Sequence, residues 1–150
     1  MRRADRPRHA TGVDASAAML ARVGPLPAGW EIVVADVGDL RLATASFDVA
    51  IASYVLHVLD AQARMPALHE IHRVMRPAGV LVTITPALPL PADHPLHRLV
   101  VRRLERHSGS RRGLLPLDPR ALLDAAGFAV EETRRSWLGY PSLCVRARRR

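Results

Sequence analysis

The stretch that most constrains this chain is FDVAIASYVLHVLDAQARMPALHEIHRVMRPAGVLVTITP, from Phe47 to Pro86. Phe47–Ala52 and Val80–Thr85 are short apolar runs, the second rich in β-branched residues, and both suit buried strands. Between them Met65, Leu68, Ile71 and Met75 recur at three- and four-residue spacing. That spacing predicts a helix whose apolar stripe covers the sheet while Arg64, Glu70 and Arg73 turn to water. Pro66 suits the first helical turn, and Pro77 with Gly79 is expected to end the helix. Two buried strands joined by a crossover helix lie parallel, so the segment is a βαβ unit and the expected fold class is α/β.

A chain of 150 residues suits one domain, 1–150, long enough to bury a sizeable core. With 49% hydrophobic and 24% charged residues it has a globular composition. The formal charge is +8, yet all 22 basic residues are Arg, which reads as composition bias rather than selection for phosphate contacts. Two Phe, two Tyr and two Trp leave little aromatic surface for stacking on bases, so nucleic acid is not an expected partner. The lone Cys144 excludes an intramolecular disulfide and points to a reducing, cytoplasmic setting. No apolar run follows the basic start MRRADRPRHA, and Gly79–Leu90 is too short and too proline-broken to span a bilayer. A soluble protein without a membrane partner is expected; its oligomeric state is not set by these features.

Taken in order, Met1–Arg8 reads as a frayed tail, and Ala10–Val13 as a strand ending at Asp14. Ser16 is placed to cap a helix from Ala17 to about Val23. Gly24–Gly29 is a loop and Glu31–Ala35 the next strand. After the βαβ unit, residues 86–113 change character: PALPLPADHP, then an Arg-rich segment in which Leu96, Leu99, Val100 and Leu104 share one face. Asp118 and Pro119 open a helix that runs to Ala126 and ends at Gly127, followed by strands over Phe128–Thr133 and Leu143–Ala147. HEIH, with His69 and His72, is not the H-E-x-x-H zinc motif, and His94, His97 and His107 are irregularly spaced, so no metal site is expected.

FDVAIASYVLHVLD followed by LHEIHRVMRPAG resembles a region of class I S-adenosylmethionine (SAM)-dependent methyltransferases. There the usual pattern is F-D-x-V-x-S-x-x-x-L-H-H, then L-x-E-I-x-R-V-L-K-P-G-G. Phe47, Asp48, Ser53, Leu56, His57, Leu68, Glu70, Ile71, Arg73, Val74, Pro77 and Gly79 fall on it; Val58 and Ala78 depart from it. GVDASAAML, ADVGDL and LDPRALLDAAGF resemble further segments of the same family, so the likeness runs from about Gly12 to Arg148. The resemblance implies a Rossmann-like three-layer αβα sandwich with a mostly parallel sheet, and SAM as cofactor.

It also implies roles. Asp14 would accept from both ribose hydroxyls, Asp36 from the adenine amine, and the Val37 amide would donate to the adenine ring, with Ala35 and Ser53 beside the cofactor. Carboxylates suit those places because a vicinal diol and an exocyclic amine present donors only. Asp14 would also favour the helix that follows it, whatever else it does. Tyr54 and His57, in the loop after a parallel strand, would face a small-molecule methyl acceptor. His57 is placed to act as a base, since an imidazole titrates near neutrality, or simply to line the pocket. Residues 86–113 would form a lid.

The family's first strand, its E/D-x-G-x-G-x-G loop and a helix normally precede the acid equivalent to Asp14, and the thirteen residues before Asp14 cannot hold them. The expectation is therefore an N-terminally truncated methyltransferase with weakened SAM affinity, whose strand at Phe47 borders a gap. The competing readings are a non-catalytic remnant that acts by interaction, a nicotinamide-dependent half-domain, and a nucleic-acid methyltransferase. The P-x-G turn and the A-G-F helix end favour a methyltransferase over the second of these.

Overall fold

A computed structural model describes residues 7–87, 116–136 and 141–150. The chain divides into two compact units, Met1–Arg41 and Leu42–Arg150.

The first unit holds β1 (Ala10–Asp14), α1 (Ala17–Leu20) and β2 (Trp30–Val34). β1 and β2 pair in parallel from Ala10 opposite Trp30 to Asp14 opposite Val34. Ser16 caps α1 as expected, its Oγ accepting from the Met19 amide at 3.3 Å. The helix stops at Leu20 rather than near Val23. Its last bonds tighten to three-residue spacing, Arg22 to Met19 and Val23 to Leu20, because Gly24 and Pro25 supply no continuation.

The second unit holds β3 (Phe47–Ser53), α2 (Ala61–Val74), β4 (Met75–Pro86), α3 (Arg120–Ala125), β5 (Phe128–Ser136) and β6 (Ser142–Arg149), with strand order β3-β4-β6-β5. β3 and β4 are parallel, which makes the predicted βαβ unit real, and β6 is antiparallel to both β4 and β5. The period of two sorts the faces. Leu81, Thr83 and Thr85 are buried opposite Ala147, Val145 and Leu143, which are buried too. On α2 the stripe Ala67, Leu68, Ile71 and Val74 is buried, and His72 meets Phe128 edge-on at 5.2 Å between ring centres. On the alternate face Val49 is 55% and Ile51 69% exposed, and among the described residues β3 has a strand partner on one side only.

Three expectations about α2 need correction. Pro66 is not in the first turn: the helix begins at Ala61, so Pro66 sits inside it and leaves the Gln62 carbonyl without its usual donor. Pro77 and Gly79 do not end the helix, because the backbone turns extended at Met75 and both lie within β4. Their irregularity is absorbed as a register shift, Phe47 facing Met75 while Val49 faces Val80. A Cβ on Gly79 would lie 3.1 Å from the Asp48 carbonyl oxygen and 2.9 Å from that of Arg76, so glycine is what permits this approach. Finally, Arg64, Glu70 and Arg73 do not simply face water. Arg73 takes Glu70 at 2.8 Å with both Nε and Nη2, and its Nη1 donates to the Leu42 carbonyl at 2.9 Å and to Thr44 Oγ1 at 3.0 Å. The pair thus ties the segment entering β3 to the end of α2.

Ala78, where the family pattern has glycine, adopts φ +61°. A left-handed alanine is strained by about 1–2 kcal/mol, partly offset by the greater unfolded-state freedom of glycine. Ala78→Gly should therefore raise stability by about 0.5–1 kcal/mol in urea unfolding. Leu81→Ala, at a fully buried β4 position, should lower it by about 2–5 kcal/mol, whereas Ile51→Ala should change it by less than about 0.5 kcal/mol. A large loss at Ile51 would mean that the β3 face is covered.

Candidate functional site

The sequence-predicted residues fall at the carboxyl ends of parallel strands, the ends where open α/β sheets take ligands. In the first unit the Ala35 amide donates to the Asp14 carbonyl at 3.2 Å, one step beyond the β1–β2 ladder, so the two strand ends adjoin. Asp14 closes β1 and Asp36 follows β2 by two residues. Both side chains are exposed, and each is oriented by a backbone amide: Asp14 Oδ1 accepts from Ser16 at 2.8 Å and Asp36 Oδ1 from Gly38 at 2.7 Å. Asp14 thus serves the turn into α1 and still presents Oδ2. Asp39 is a turn residue, bonded through its amide to the Asp36 carbonyl and paired with Arg41 at 3.0 Å. Ala35 has spent its N–H on Asp14, and half-buried Val37 follows Asp36 in the turn.

Both carboxylates can still accept from a ligand. Each has one oxygen fixed by the protein and, among the described residues, no protein partner on Oδ2, which matches ligand groups that only donate. The hollow lined by His9, Ala10, Thr11, Gly29, Trp30 and Glu31 lies at the opposite, amino ends of β1 and β2 and shares none of these residues.

In the second unit Ser53 is the last residue of β3, and Tyr54 follows in a left-handed conformation, φ +55°. The Tyr54 amide donates to the Ile84 carbonyl at 2.8 Å, extending the β3–β4 ladder by one step. Its Oη lies 2.5 Å from Ser142 Oγ, and its ring stands edge-on to the His57 imidazole, 5.7 Å between centres at 81°. His57 is 4% exposed and follows the fully buried Leu56, whose carbonyl accepts from Arg64 Nε at 3.1 Å. Burial, and then the Arg64 charge, hold the His57 pKa below the ordinary 6.5, so the ring is neutral at pH 7. His57 Nδ1 is buried without a hydrogen-bond partner among the described residues. A buried neutral imidazole of this kind can take a proton from a bound group.

Arg64 and Ser142 are the contributors that sequence reasoning missed. Arg64 lies on the predicted helix, where charge alone points it to water; Ser142 lies 88 residues from Tyr54, and no local pattern marks it. Of the lid expected over 86–113, only Pro86 and Ala87 are described; residues 88–113 lie outside the described residues, His94, His97 and His107 among them. Among the described residues no group of three or more His, Cys, Asp or Glu could hold a metal, and no helix is long and apolar enough to cross a membrane.

Residues 1–83 match the family model described as a methyltransferase domain. The chain belongs to the class I SAM-dependent methyltransferase family. Its fold is similar to that of a SAM-dependent methyltransferase from Methanosarcina mazei, at 16% identity and TM-score 0.72, covering 95% of this chain and 82% of that one. A Mesorhizobium loti SAM-dependent methyltransferase is similar at 24% identity and TM-score 0.66, covering 95% and 81%. The 1,6-didemethyltoxoflavin-N1-methyltransferase of Burkholderia thailandensis, solved with 1,6-didemethyltoxoflavin and S-adenosylhomocysteine, is similar at 23% identity and TM-score 0.66. This methyltransferase domain aligns over 93% of its own length with 60% of that enzyme. No curated protein matches it in sequence. At these identities the solved structures establish a Rossmann-like α/β fold.

His57 and His72 are both held below 6.5, His57 mainly by burial and His72 by burial and then by the Arg149 and His69 charges. As pH falls below 6.5 the unfolded chain takes up protons before the folded one, so stability is complete above 6.5 and is lost as pH falls through the folded values. Urea midpoints measured from about pH 7.5 down to about pH 5 should therefore decline, and His57→Gln should make the decline shallower.

Proposed function

We propose that this methyltransferase domain uses SAM as donor and methylates an oxygen, nitrogen or carbon of a small molecule that gives up a proton in the reaction. The observation that carries the reading is the pair of exposed carboxylates, Asp14 and Asp36, oriented by backbone amides at adjoining strand ends. Asp14 would hold the ribose diol, Asp36 the adenine amine and the Val37 amide the adenine ring; Ala35 and Ser53 are the further cofactor contacts that the family resemblance implies. Bound there, SAM supplies an electrophilic methyl group on a sulfonium sulfur.

The acceptor side is built from Tyr54 and His57. As the acceptor atom forms its bond to carbon it must lose a proton, and the neutral His57 takes it, becoming an imidazolium that later releases it to solvent. The remaining contribution is alignment, because in-line displacement gains most of its rate from positioning. That the Burkholderia enzyme binds a small acceptor together with S-adenosylhomocysteine supports the small-molecule reading. The free, half-buried Cys144 fits a reducing cytoplasm.

Calorimetric titration with SAM tests the cofactor assignment. Binding should be measurable, and Asp14→Ala and Asp36→Ala should each weaken it about 10- to 100-fold, the range expected for loss of a hydrogen bond to a charged group. An absence of heat at millimolar SAM would overturn the proposal.

A further inference from the structure

Ser142 has no part in the reading above, yet the fold brings it to Tyr54 from the end of a strand far away in sequence. Ser142 opens β6, is 8% exposed, and pairs with Pro86 at the end of β4 and with Ser136 of β5. A non-glycine residue stays in the left-handed region only where its surroundings hold it there. Tyr54 is held at both ends: its amide by the Ile84 carbonyl at 2.8 Å, its phenol by Ser142 Oγ at 2.5 Å. Between those anchors the ring stands edge-on to His57. On the other side Arg64, from α2, fixes the Leu56 carbonyl next to the imidazole. Tyr54 from its own loop stands edge-on to His57 and the Arg64 charge from α2 acts on it, while Ser142 adds no charge.

We propose that Ser142 is a positioning residue for His57: by anchoring the Tyr54 phenol it fixes the aromatic wall that keeps the imidazole out of water and sets its aim toward an acceptor. Ser142 does this without contact to the acceptor, and its hydroxyl is the part that matters. The catalytic consequence rests on the reading of His57 as a base given above, whereas the structural part stands without it.

Titration of the histidine Cε1–H resonances by NMR in the full chain separates the two. In the parent protein His57 should titrate below 6.5. In Ser142→Ala and in Tyr54→Phe, either of which breaks the Oη···Oγ bond, its midpoint should move up toward the ordinary imidazole value as water reaches the ring. Ser142→Thr, which keeps a hydroxyl, should restore the parent midpoint. His72, depressed in a different environment beside Phe128, serves as the internal control and should not move in any variant. Unchanged His57 midpoints in both Ser142→Ala and Tyr54→Phe, or His57 and His72 moving together, would overturn the proposal. Should Ser142→Ala fail to fold, Tyr54→Phe, which retains the ring and the backbone anchor, decides the question by itself. Where methyl transfer is measurable, Ser142→Ala should lower kcat about tenfold with little change in the KM for SAM. NMR shifts as expected with no transfer by the parent protein would count against the methyltransferase reading and leave the positioning role intact.

Discussion

Everything in the larger unit depends on the hydrogen bonding of β4, the strand there that carries a parallel neighbour on one side and an antiparallel neighbour on the other. Pairing on both edges satisfies the backbone groups that burial would otherwise strand. The strand can therefore bury Leu81, Thr83 and Thr85 completely. The same ladder reaches past the end of β3 to catch the Tyr54 amide, so the loop bearing Tyr54 and His57 is an extension of the most secure part of the sheet rather than an independent excursion. The backbone at Tyr54 is thereby tied to the sheet.

Two polar devices complete the frame. The Glu70–Arg73 pair ties the end of α2 to the segment that enters β3, and Arg64 ties the start of the same helix to the segment that leaves it. One helix thus clamps both ends of one strand. Individually such partly exposed pairs stabilise little, but here their directionality fixes where the strand begins and where its loop turns.

The βαβ unit was legible because it is written in periods: two apolar runs, a helical stripe, and little else that the pattern permits. Asp14 and Ser16 were legible for a related reason, since a strand end followed by a cap is a short-range signal, and both behave as that signal requires. The ends of α2 were not. Proline and glycine announce a break without saying which kind, and the register shift in β4 took up what was expected of a helix terminus. Charge sends Arg64 and Arg73 to solvent on paper, whereas their partners include backbone carbonyls that are in place only once the strands have formed. Ser142 lay furthest from reach: its contact with Tyr54 is a product of sheet order, and no spacing in the chain encodes it.

The side of β3 that has no strand partner among the described residues has a consequence for how the molecule meets others of its kind. Over seven residues this strand contains neither proline nor glycine, its only charge is Asp48 near one end, held by Arg76, and its outward row presents Val49 and Ile51. Natural sheets usually blunt such a border with lysine, proline or a strong twist. In place of these devices the strand itself carries only the Asp48–Arg76 pair, so among the described residues its border is the place where a further strand would add with least obstruction.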